Sequence, residues 1–372
     1  MSRPVVWALS SNYTLYADLS SRMMAIIGKY SDRQEVYSID ESFIEWTGFR
    51  YFDLDRLAAA IRKQVGRWIG IPVGIGIGAT KTLAKVANRL AKRHADFQSS
   101  GICNLTSLPA LVVERHLSAL PVGDIWGIGR RWSAKLEGLG IRSALDLSQV
   151  EPAWVRQHFN VVMERTAWEL RGVSCLPLEQ APPPKQQIIT SRSFGKLVSD
   201  LPSLRQAVSS YTATAAAKLR QQGSSTQALM VFLNTPPFNP SEPQYHPSVT
   251  VRLADPSHDT LVLTQAALRG LQRIYKPEYR YQKAGVMLLN LTPAGPGQLS
   301  LFSAAVAGSS AQRDRLLEVK DRINQAMGRE TLWTAVQGIT HQEREDSWRM
   351  QRGTLSPAYT TRWDQLPRVM AH

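Results

Sequence analysis

The 372-residue sequence has only two cysteines, Cys103 and Cys175. Two cysteines cannot build a disulfide framework and offer too few thiolates for a structural zinc site, so the chain fits a reducing compartment. The seven histidines lack metal-ligand spacing. Long apolar runs are also missing: residues 69–79, the most apolar window, are too short and glycine-rich to cross a bilayer, and the N-terminus lacks signal-peptide features. These absences exclude secreted disulfide scaffolds, zinc fingers and membrane spans.

Acidic residues are scarce relative to basic ones. The chain has 44 Lys and Arg against 30 Asp and Glu, a formal net charge of +14 at pH 7. Such a balance favours a polyanionic partner, nucleic acid before membrane. A basic enzyme without such a partner is the alternative. The length allows about two to four domains with sizeable cores.

Two adjacent carboxylates, Asp40 and Glu41, interrupt a segment that otherwise has strand character. Neighbouring side chains of a strand point to opposite faces, so we expect a tight turn between residues 36–39 and 42–46 that places both acids at a hairpin tip. Paired carboxylates at a strand end are hard oxygen ligands for Mg²⁺ and suit two-metal phosphoryl chemistry. A solvated acidic turn is the alternative.

A glycine-rich strand and a basic helix follow. Residues 72–78 alternate β-branched residues with glycine, which predicts that another element packs closely against the glycine face. Residues 80–94 form a predicted helix with four cations on one face, suited to bind phosphates or to stay solvated. These cations are Lys81, Lys85, Arg89 and Lys92. The segment is not a P-loop, because Thr80 stands where glycine must precede the Lys-Thr pair.

The segment 120–131 contains Trp-Gly-Ile-Gly before a basic amphipathic helix, the signature of a helix–hairpin–helix. Gly127 and Gly129 would let backbone N–H groups approach a DNA phosphate, beside Arg130 and Arg131. Such a contact reads the DNA backbone and is independent of base sequence. A tight turn within a helical bundle is the alternative.

A proline-rich linker at residues 181–185 precedes a βαββαβ pattern. Strands are predicted at 187–194, 228–234, 248–253 and 284–291, and helices at 203–222 and 259–274. We expect a small sheet with both helices on one face. Its basic residues include Arg192 and Lys283.

The C-terminal part is polar and basic. Gln298–Phe302 has the Gln, aliphatic and Leu-Phe pattern of a docking peptide, although such short strings also arise by chance. One helix is predicted at 311–328, and Trp333, Trp348 and Trp363 indicate contacts with a partner.

Together and in this order, these pieces resemble the Y-family translesion DNA polymerases, in particular their UmuC type. The resembling segments are 11–13, 37–41, 80–85, 124–131, 158–162, 191–195, 281–288, 356–357 and 359–362. The resemblance implies an α+β right-hand architecture. Its parts would be an incomplete palm at 1–106, a helical thumb at 107–180, a linker at 181–186, a βαββαβ little finger at 187–292 and a tail at 293–372.

By position, the resemblance implies a role for each candidate residue. Asp40 and Glu41 would be catalytic Mg²⁺ ligands, and Lys92 would contact the incoming dNTP. The implied DNA-binding residues are Lys81, Lys85, Gly127, Gly129, Arg130, Arg131, Arg192 and Lys283. Gln298, Leu301 and Phe302 would bind the sliding clamp.

The implied activity is error-prone translesion synthesis, a template-directed nucleotidyl transfer in an SOS-type damage response. Its partners would be primer–template DNA, dNTP, the sliding clamp, a UmuD′-like subunit on the tail and the RecA filament. The expected location is the bacterial cytoplasm, at the nucleoid.

One family element has no counterpart in the sequence. The family's first strand carries Asp-x-Asn-x-Phe-Tyr-Ala, which supplies a third metal carboxylate, and the fingers follow it. We expect either an incomplete copy of a full polymerase, or a shortened chain that binds DNA and the clamp without catalysis. A helix–hairpin–helix glycosylase or nuclease is a third hypothesis, disfavoured by the acidic hairpin and the little-finger pattern.

Overall fold

The computed structural model describes residues 8–181, 183–239, 241–294, 307–328, 331–338, 348–350 and 353–367. The chain divides into two compact units. The first unit consists of Met1–Pro182 with Thr354–His372, and the second of Pro183–Gly353. Both combine helices with sheets, so the predicted α+β class is confirmed.

The first unit contains nine α-helices and four short strands in its described residues. The helices are α1 (Tyr13–Ile27), α2 (Leu54–Ile69), α3 (Lys81–Arg93), α4 (Ala95–Gln98), α5 (Ala110–Ala119), α6 (Arg130–Gly138), α7 (Ala144–Gln149), α8 (Pro152–His158) and α9 (Val161–Leu170). The strands are β1 (Gln34–Val36), β2 (Ser42–Ile44), β3 (Ile75–Ile77) and β4 (Ile102–Asn104). β1 and β2 form the predicted antiparallel hairpin, with Glu35 opposite Phe43.

Strand β3 pairs in parallel with β4 and is shorter than the predicted strand 72–78. Its length matches that of its three-residue partner, because a ladder extends only where both strands supply hydrogen bonds. The glycine face behaves as expected. A Cβ on Gly76 would lie 2.0 Å from the backbone nitrogen of Asn88, and one on Gly78 would lie 2.6 Å from that of Ala84. Helix α3 therefore packs directly on β3.

Two apolar clusters stabilise the first unit. Residues Met23, Ile61 and Val65 join α1 to α2. The larger cluster runs from α3 through the helices α5 to α9. Helix α3 begins at the cap residue Thr80, whose side-chain oxygen accepts from the N–H of Leu83 at 3.2 Å. The helix that carries the four cations is thus anchored at its start and along its apolar face.

The second unit is built on a four-stranded antiparallel sheet with strand order β5-β8-β6-β7. Its elements are β5 (Ile188–Val198), α10 (Leu201–Gln221), β6 (Ser224–Asn234), β7 (Ser248–Ser257), α11 (Thr260–Ile274), β8 (Tyr281–Pro293) and α12 (Ala307–Ala326). The order β5-α10-β6-β7-α11-β8 is the predicted βαββαβ pattern, with longer strands than expected. Buried Leu229, Val231 and Leu288 pack with α10 and α11 in one core.

The tail differs from its prediction. Trp348 was expected to contact a partner, but it is 4% exposed and packs edge-on against Tyr211 of α10, with ring centroids 5.7 Å apart. The indole N–H of Trp333 donates to the Gly338 carbonyl at 2.8 Å, whereas Trp363 is exposed. The prediction was therefore wrong for Trp348, because a large ring next to an uncovered helix gains more by packing than by exposure.

The candidate clamp residues Gln298, Leu301 and Phe302 lie outside the residues that the structure describes. Among the described residues, no helix has the length and hydropathy needed to cross a membrane.

Candidate functional site

The tip of the β1–β2 hairpin carries both predicted carboxylates. The N–H groups of Tyr37 and Ser38 each donate to the Glu41 carbonyl at 3.0 Å, which closes the turn. The Ser38 hydroxyl donates to the Asp40 carboxylate at 2.6 Å. The predicted turn therefore forms, and both acids lie at one end of the hairpin.

A cleft of about 1050 Å³ lies beside this tip. Helix α1, strands β2 and β3, helix α3 and residues 174–178 contribute to its lining. Its charged and amide-bearing side chains include Asp40, Glu41, Lys81, Lys85, Asn88 and Lys92. The structure thus brings both predicted acids and three of the predicted cations to the border of one cleft.

Three of the four cations on the predicted basic face of α3 form ion pairs. The Lys85 Nζ lies 2.8 Å from Oε2 of Glu41. The other two pairs are Lys81 with Glu35 and Arg89 with Asp124. An ion-paired cation is already partly neutralised, so these three charges are less available to an anion from solution than the sequence suggested.

Lys92 differs from the other three cations of this face. It is exposed and forms no ion pair with any described residue. Its aliphatic stem lies over Gly74, where a Cβ would come 3.1 Å from the Lys92 Cγ. Lys92 is therefore the α3 cation whose charge is available at the cleft.

Glu35 is a site residue that sequence reasoning missed. It is 8% exposed, and its carboxylate accepts from the Lys81 ammonium and from the N–H of Glu179 at 2.7 Å. Neighbouring Val36 is 57% exposed, so the pattern along β1 is reversed: the charge is inside and the apolar side chain outside. The alternation of apolar and polar residues along a strand predicts that the Glu35 side chain faces solvent. Only its contact with Lys81 identifies Glu35 as a site residue.

The Lys85 ammonium also lies among three aromatic rings. It is 4.7 Å from the ring centroid of Tyr37 and 5.6 Å from those of Phe43 and Trp126. The Trp126 indole N–H donates to the Tyr37 hydroxyl at 3.1 Å. Cation–π attraction therefore holds Lys85 beside Glu41 and links the hairpin tip, α3 and the segment before α6.

The predicted helix–hairpin–helix segment has an open glycine turn. Gly127 has φ +87°, a value that favours glycine, whereas Gly129 has an ordinary φ of −84°. A Cβ at either position would contact nothing within 4 Å. The fold itself therefore does not demand glycine at 129, and α6 begins without a side-chain cap. Its first N–H groups can be approached by an external anion.

The two arginines at this turn are accessible. Arg130 and Arg131 are exposed, and neither forms an ion pair within the part of the chain that the structure describes. Together with the uncapped start of α6, they make a small positive surface next to the glycines.

The two candidate DNA contacts of the second unit lie on different faces of its sheet. Lys283 is opposite Ser193 and Asn234, whereas Arg192 is opposite the buried Ala284. Directly opposed residues share a face, and adjacent residues on a strand do not. The helices α10 and α11 cover the face of Ala284, so Lys283 lies on the open face and Arg192 does not. The structure does not bring these two cations together.

The carboxylates match only part of a metal-ligand set. Asp40 and Glu41 are hard oxygen donors of the type that Mg²⁺ prefers. However, the described residues contain no cluster of three His, Cys, Asp or Glu able to hold a metal ion. Glu41 also pairs with Lys85. The described residues alone therefore do not complete a two-metal centre.

Comparison with family profiles divides the chain into three matched regions. Residues 2–89 match the impB/mucB/samB family, and residues 185–301 match the C-terminal domain of the same family. Residues 314–369 match a domain of unknown function, DUF4113.

The chain is similar over nearly its full length to several bacterial proteins. It is 45% identical to protein UmuC of Salmonella typhimurium over 370 residues, which is 99% of this chain and 85% of that protein. It is 39% identical to protein MucB of Escherichia coli, covering 96% of this chain and 82% of that protein. Similarity to DNA polymerase IV of Moorella thermoacetica is weaker, 25% identity over 87% of this chain and 77% of that protein.

A solved Y-family DNA polymerase chimera of Dbh and Dpo4 has a similar fold. The TM-score is 0.56 at 18% sequence identity, covering 76% of this chain and 78% of that chain.

Proposed function

Because the chain belongs to the impB/mucB/samB family of UmuC-type Y-family DNA polymerases, we propose that it extends primers across damaged template by nucleotidyl transfer. Membership of this family, whose activity is error-prone translesion synthesis, confirms the resemblance identified from the sequence. What the proposal adds is a role for individual residues.

One observation carries the proposal: the hairpin carboxylates and the cations of α3 border the same cleft. We assign Asp40 and Glu41 as carboxylate ligands of Mg²⁺ in the transfer reaction; the remaining ligands are not supplied by the described residues. Lys92, exposed at the cleft, would attract the triphosphate of the dNTP. The ion pairs of Lys81 and Lys85 give these two cations a positioning role before any contact with DNA.

DNA would be held mainly through its phosphates. The uncapped start of α6, with Gly127, Gly129, Arg130 and Arg131, suits a sequence-independent grip on duplex DNA. Lys283, on the open face of the second unit's sheet, would add a phosphate contact there. Affinity from such contacts should fall steeply as salt rises.

Further partners follow from family resemblance alone. Gln298, Leu301 and Phe302 would dock on a sliding clamp as an extended peptide. A UmuD′-like subunit and the RecA filament would bring the polymerase to damaged DNA in an SOS-type response, in the bacterial cytoplasm.

Primer extension with Mg²⁺ tests the proposal. We expect Asp40→Asn and Glu41→Gln each to reduce extension at least about 100-fold. Each change removes a carboxylate ligand of the Mg²⁺ that would stabilise the negative charge developing in the transition state. The matched control is Asp32→Asn, which alters an exposed acid outside the cleft. DNA binding by all three variants should stay close to that of the parent. Equal extension by parent and cleft variants would refute the assignment.

A second candidate function is DNA and clamp binding without catalysis. The pairing of Glu41 with Lys85 and the lack of a three-residue metal cluster among the described residues favour it. The same experiment separates the two. If the parent chain binds primer–template tightly and in a salt-dependent manner, yet extends no primer with Mg²⁺ or Mn²⁺, the binding function holds and the polymerase proposal fails for this chain.

A further inference from the structure

The region matched by the domain of unknown function begins within α12, whose inner side is fixed to the second unit. The Arg220 guanidinium of α10 binds both carboxylate oxygens of Asp321, at 2.7 and 2.9 Å. The Asp314 carboxylate lies 2.9 Å from the His258 imidazole, and Leu317 is buried. A bidentate pair and a buried leucine hold the helix in one orientation.

The outer side of α12 carries an apolar stripe. Leu316, Val319, Ile323 and Met327 follow one another at spacings of three and four residues, so they share one face of the helix. Leu316 is 66% exposed and Met327 74%, Val319 is also exposed, and Ile323 is half-buried. At the rise of an α-helix, this outer stripe is roughly 16 Å long. It therefore offers about three helical turns of apolar surface to a partner.

A fifth exposed apolar side chain, Leu332, lies near the end of this helix. The Asn324 side chain of α12 accepts from the N–H of Leu332 at 2.8 Å and donates to its carbonyl at 3.0 Å. Two hydrogen bonds to one residue fix its backbone in place. A partner would thus meet a surface that is already ordered, which lowers the entropic cost of binding.

Cations border the outer stripe on both sides. Arg315 and Arg322 lie seven residues apart, hence together on one side; both are exposed, and neither forms an ion pair with a described residue. On the other side are Arg313, which lies 3.8 Å from Asp259, and the half-buried Lys320. The stripe is therefore an apolar strip between positive edges.

The acids of α12 do not neutralise these edges. Asp314 and Asp321 are engaged on the inner side, and the exposed Glu318 lies farther round the helix from the stripe than the two arginines. A second copy of the helix would bring cation against cation, which disfavours self-association. Carboxylates on both sides of an apolar stripe would match this surface.

We propose that the outer stripe of α12 docks an acidic amphipathic helix of a separate protein. The apolar side chains of that helix would pack lengthwise on Leu316, Ile323 and Met327, and its carboxylates would pair with Arg315 and Arg322. The outer stripe has no aromatic side chain of the kind that anchors interfacial helices, which favours a helical protein segment over an anionic membrane. The inference does not depend on polymerase activity, because α12 belongs to the second unit and the cleft to the first.

Binding of synthetic peptides to the full chain tests the proposal. The probe is a fluorescein-labelled peptide of about 21 residues, with leucine in a stripe of helical period and glutamate on both sides of it. One comparison peptide has lysine in place of glutamate, and another keeps the acidic composition but scrambles the stripe. We expect fluorescence anisotropy to show saturable binding of the acidic amphipathic peptide and at least about tenfold lower affinity for the other two.

Two double variants locate the contact. Leu316→Ala with Ile323→Ala should weaken binding of the acidic peptide at least about tenfold, because apolar contact is lost at both positions. Arg315→Glu with Arg322→Glu should weaken it by a similar factor, and this loss should shrink as salt rises.

The matched control is Arg269→Glu with Arg273→Glu, at exposed positions of α11. It makes the same change in net charge away from the outer stripe, so affinity for the acidic peptide should stay within about twofold of the parent. An equal loss in this control would mean that the peptide senses only the overall positive charge, and would overturn the proposal. So would the absence of saturable binding up to about 1 mM peptide.

Binding to vesicles of phosphatidylcholine and phosphatidylserine separates a lipid surface from a protein partner. Loss of vesicle binding in the Leu316→Ala, Ile323→Ala variant, with peptide binding unchanged, would assign the stripe to a membrane and overturn the proposal.

Amide hydrogen exchange of the parent chain provides a second measurement that needs no variant to fold. Residues 312–328 should exchange more slowly with the acidic peptide bound; slower exchange confined to other parts of the chain would contradict the proposal.

Discussion

Two pairs of candidate cations, Lys81 and Lys85 in the first unit and Arg192 and Lys283 in the second, are held in different ways. In the first unit, Lys81 and Lys85 at the cleft are ion-paired with carboxylates and largely buried. In the second unit, Arg192 is exposed and Lys283 half-buried, and neither forms an ion pair with a described residue. A paired, buried cation is fixed in position, and its removal leaves a buried carboxylate unpaired, whereas an unpaired cation contributes long-range charge. The first arrangement suits positioning at a reaction site, and the second suits a salt-dependent grip on DNA.

The largest effect that this comparison predicts concerns Glu169, which anchors the cation-bearing helix. This fully buried carboxylate accepts from the N–H groups of Thr82 at 3.0 Å, Cys175 at 2.7 Å and Leu176 at 3.2 Å. Glu169→Ala would leave three N–H donors without their acceptor, the buried one of Thr82 and the half-buried ones of Cys175 and Leu176. We expect the free energy of unfolding of the first unit to fall by about 3 kcal/mol.

Urea unfolding followed by alkylation of Cys103 measures this loss. The Cys103 thiol is buried, and burial raises its pKa to about 12, so it reacts only after the first unit opens. Both cysteines belong to the first unit, and a Cys175→Ser background leaves Cys103 as the single probe. Glu114→Ala, at an exposed position of α5, is the control and should change stability by less than about 0.5 kcal/mol. A similar midpoint for both variants would show that Glu169 does not anchor α3.

A smaller effect is expected from Lys81→Ala. This change leaves the buried Glu35 carboxylate without its cation, and the free energy of unfolding should fall by about 2 kcal/mol. Adding Glu35→Gln should recover part of the loss, because the double variant no longer buries an unpaired charge. The exposed Lys63→Ala serves as the control. Additive losses in the double variant would mean that the pair contributes nothing as a pair.

The smallest effect on folding is expected from Lys283→Ala in the second unit. Its stability should stay within about 0.5 kcal/mol of the parent, while the slope of log binding constant against log salt should decrease by about 1. Arg192→Ala is the matched comparison, since Arg192 lies on the opposite face. We expect a smaller change in slope for Arg192→Ala. Equal changes would show that DNA contacts both faces of the sheet, and a loss of stability for Lys283→Ala would remove the contrast between the two pairs of cations.

Local patterns were enough to predict much of the fold. The turn at Asp40 and Glu41 and the close packing on Gly76 are each encoded within a few consecutive residues, and the βαββαβ order follows from the local pattern of each element in turn. Predicting them needed only the side-chain periods of strands and helices and the small volume of glycine. Even so, β3 is shorter than the strand that its apolar pattern predicts, because the partner strand sets the length of a hydrogen-bonded ladder.

The site depends on contacts that such patterns do not contain. Glu35 meets Lys81 across 46 positions, and Trp126 reaches Tyr37 across 89. Trp348 packs on a helix more than a hundred residues earlier, so a ring expected at a partner surface belongs to the core. None of these contacts has a local signal, because each depends on how separate elements meet.

Charge, element order and the acids at a hairpin tip could therefore be foreseen from the chain alone, since they follow from composition and short-range periodicity. Folding determined which cations are neutralised and which face of the sheet Lys283 and Arg192 occupy. The reason is that ion pairs, burial and strand register depend on distances between residues far apart in sequence, and local composition does not encode those distances.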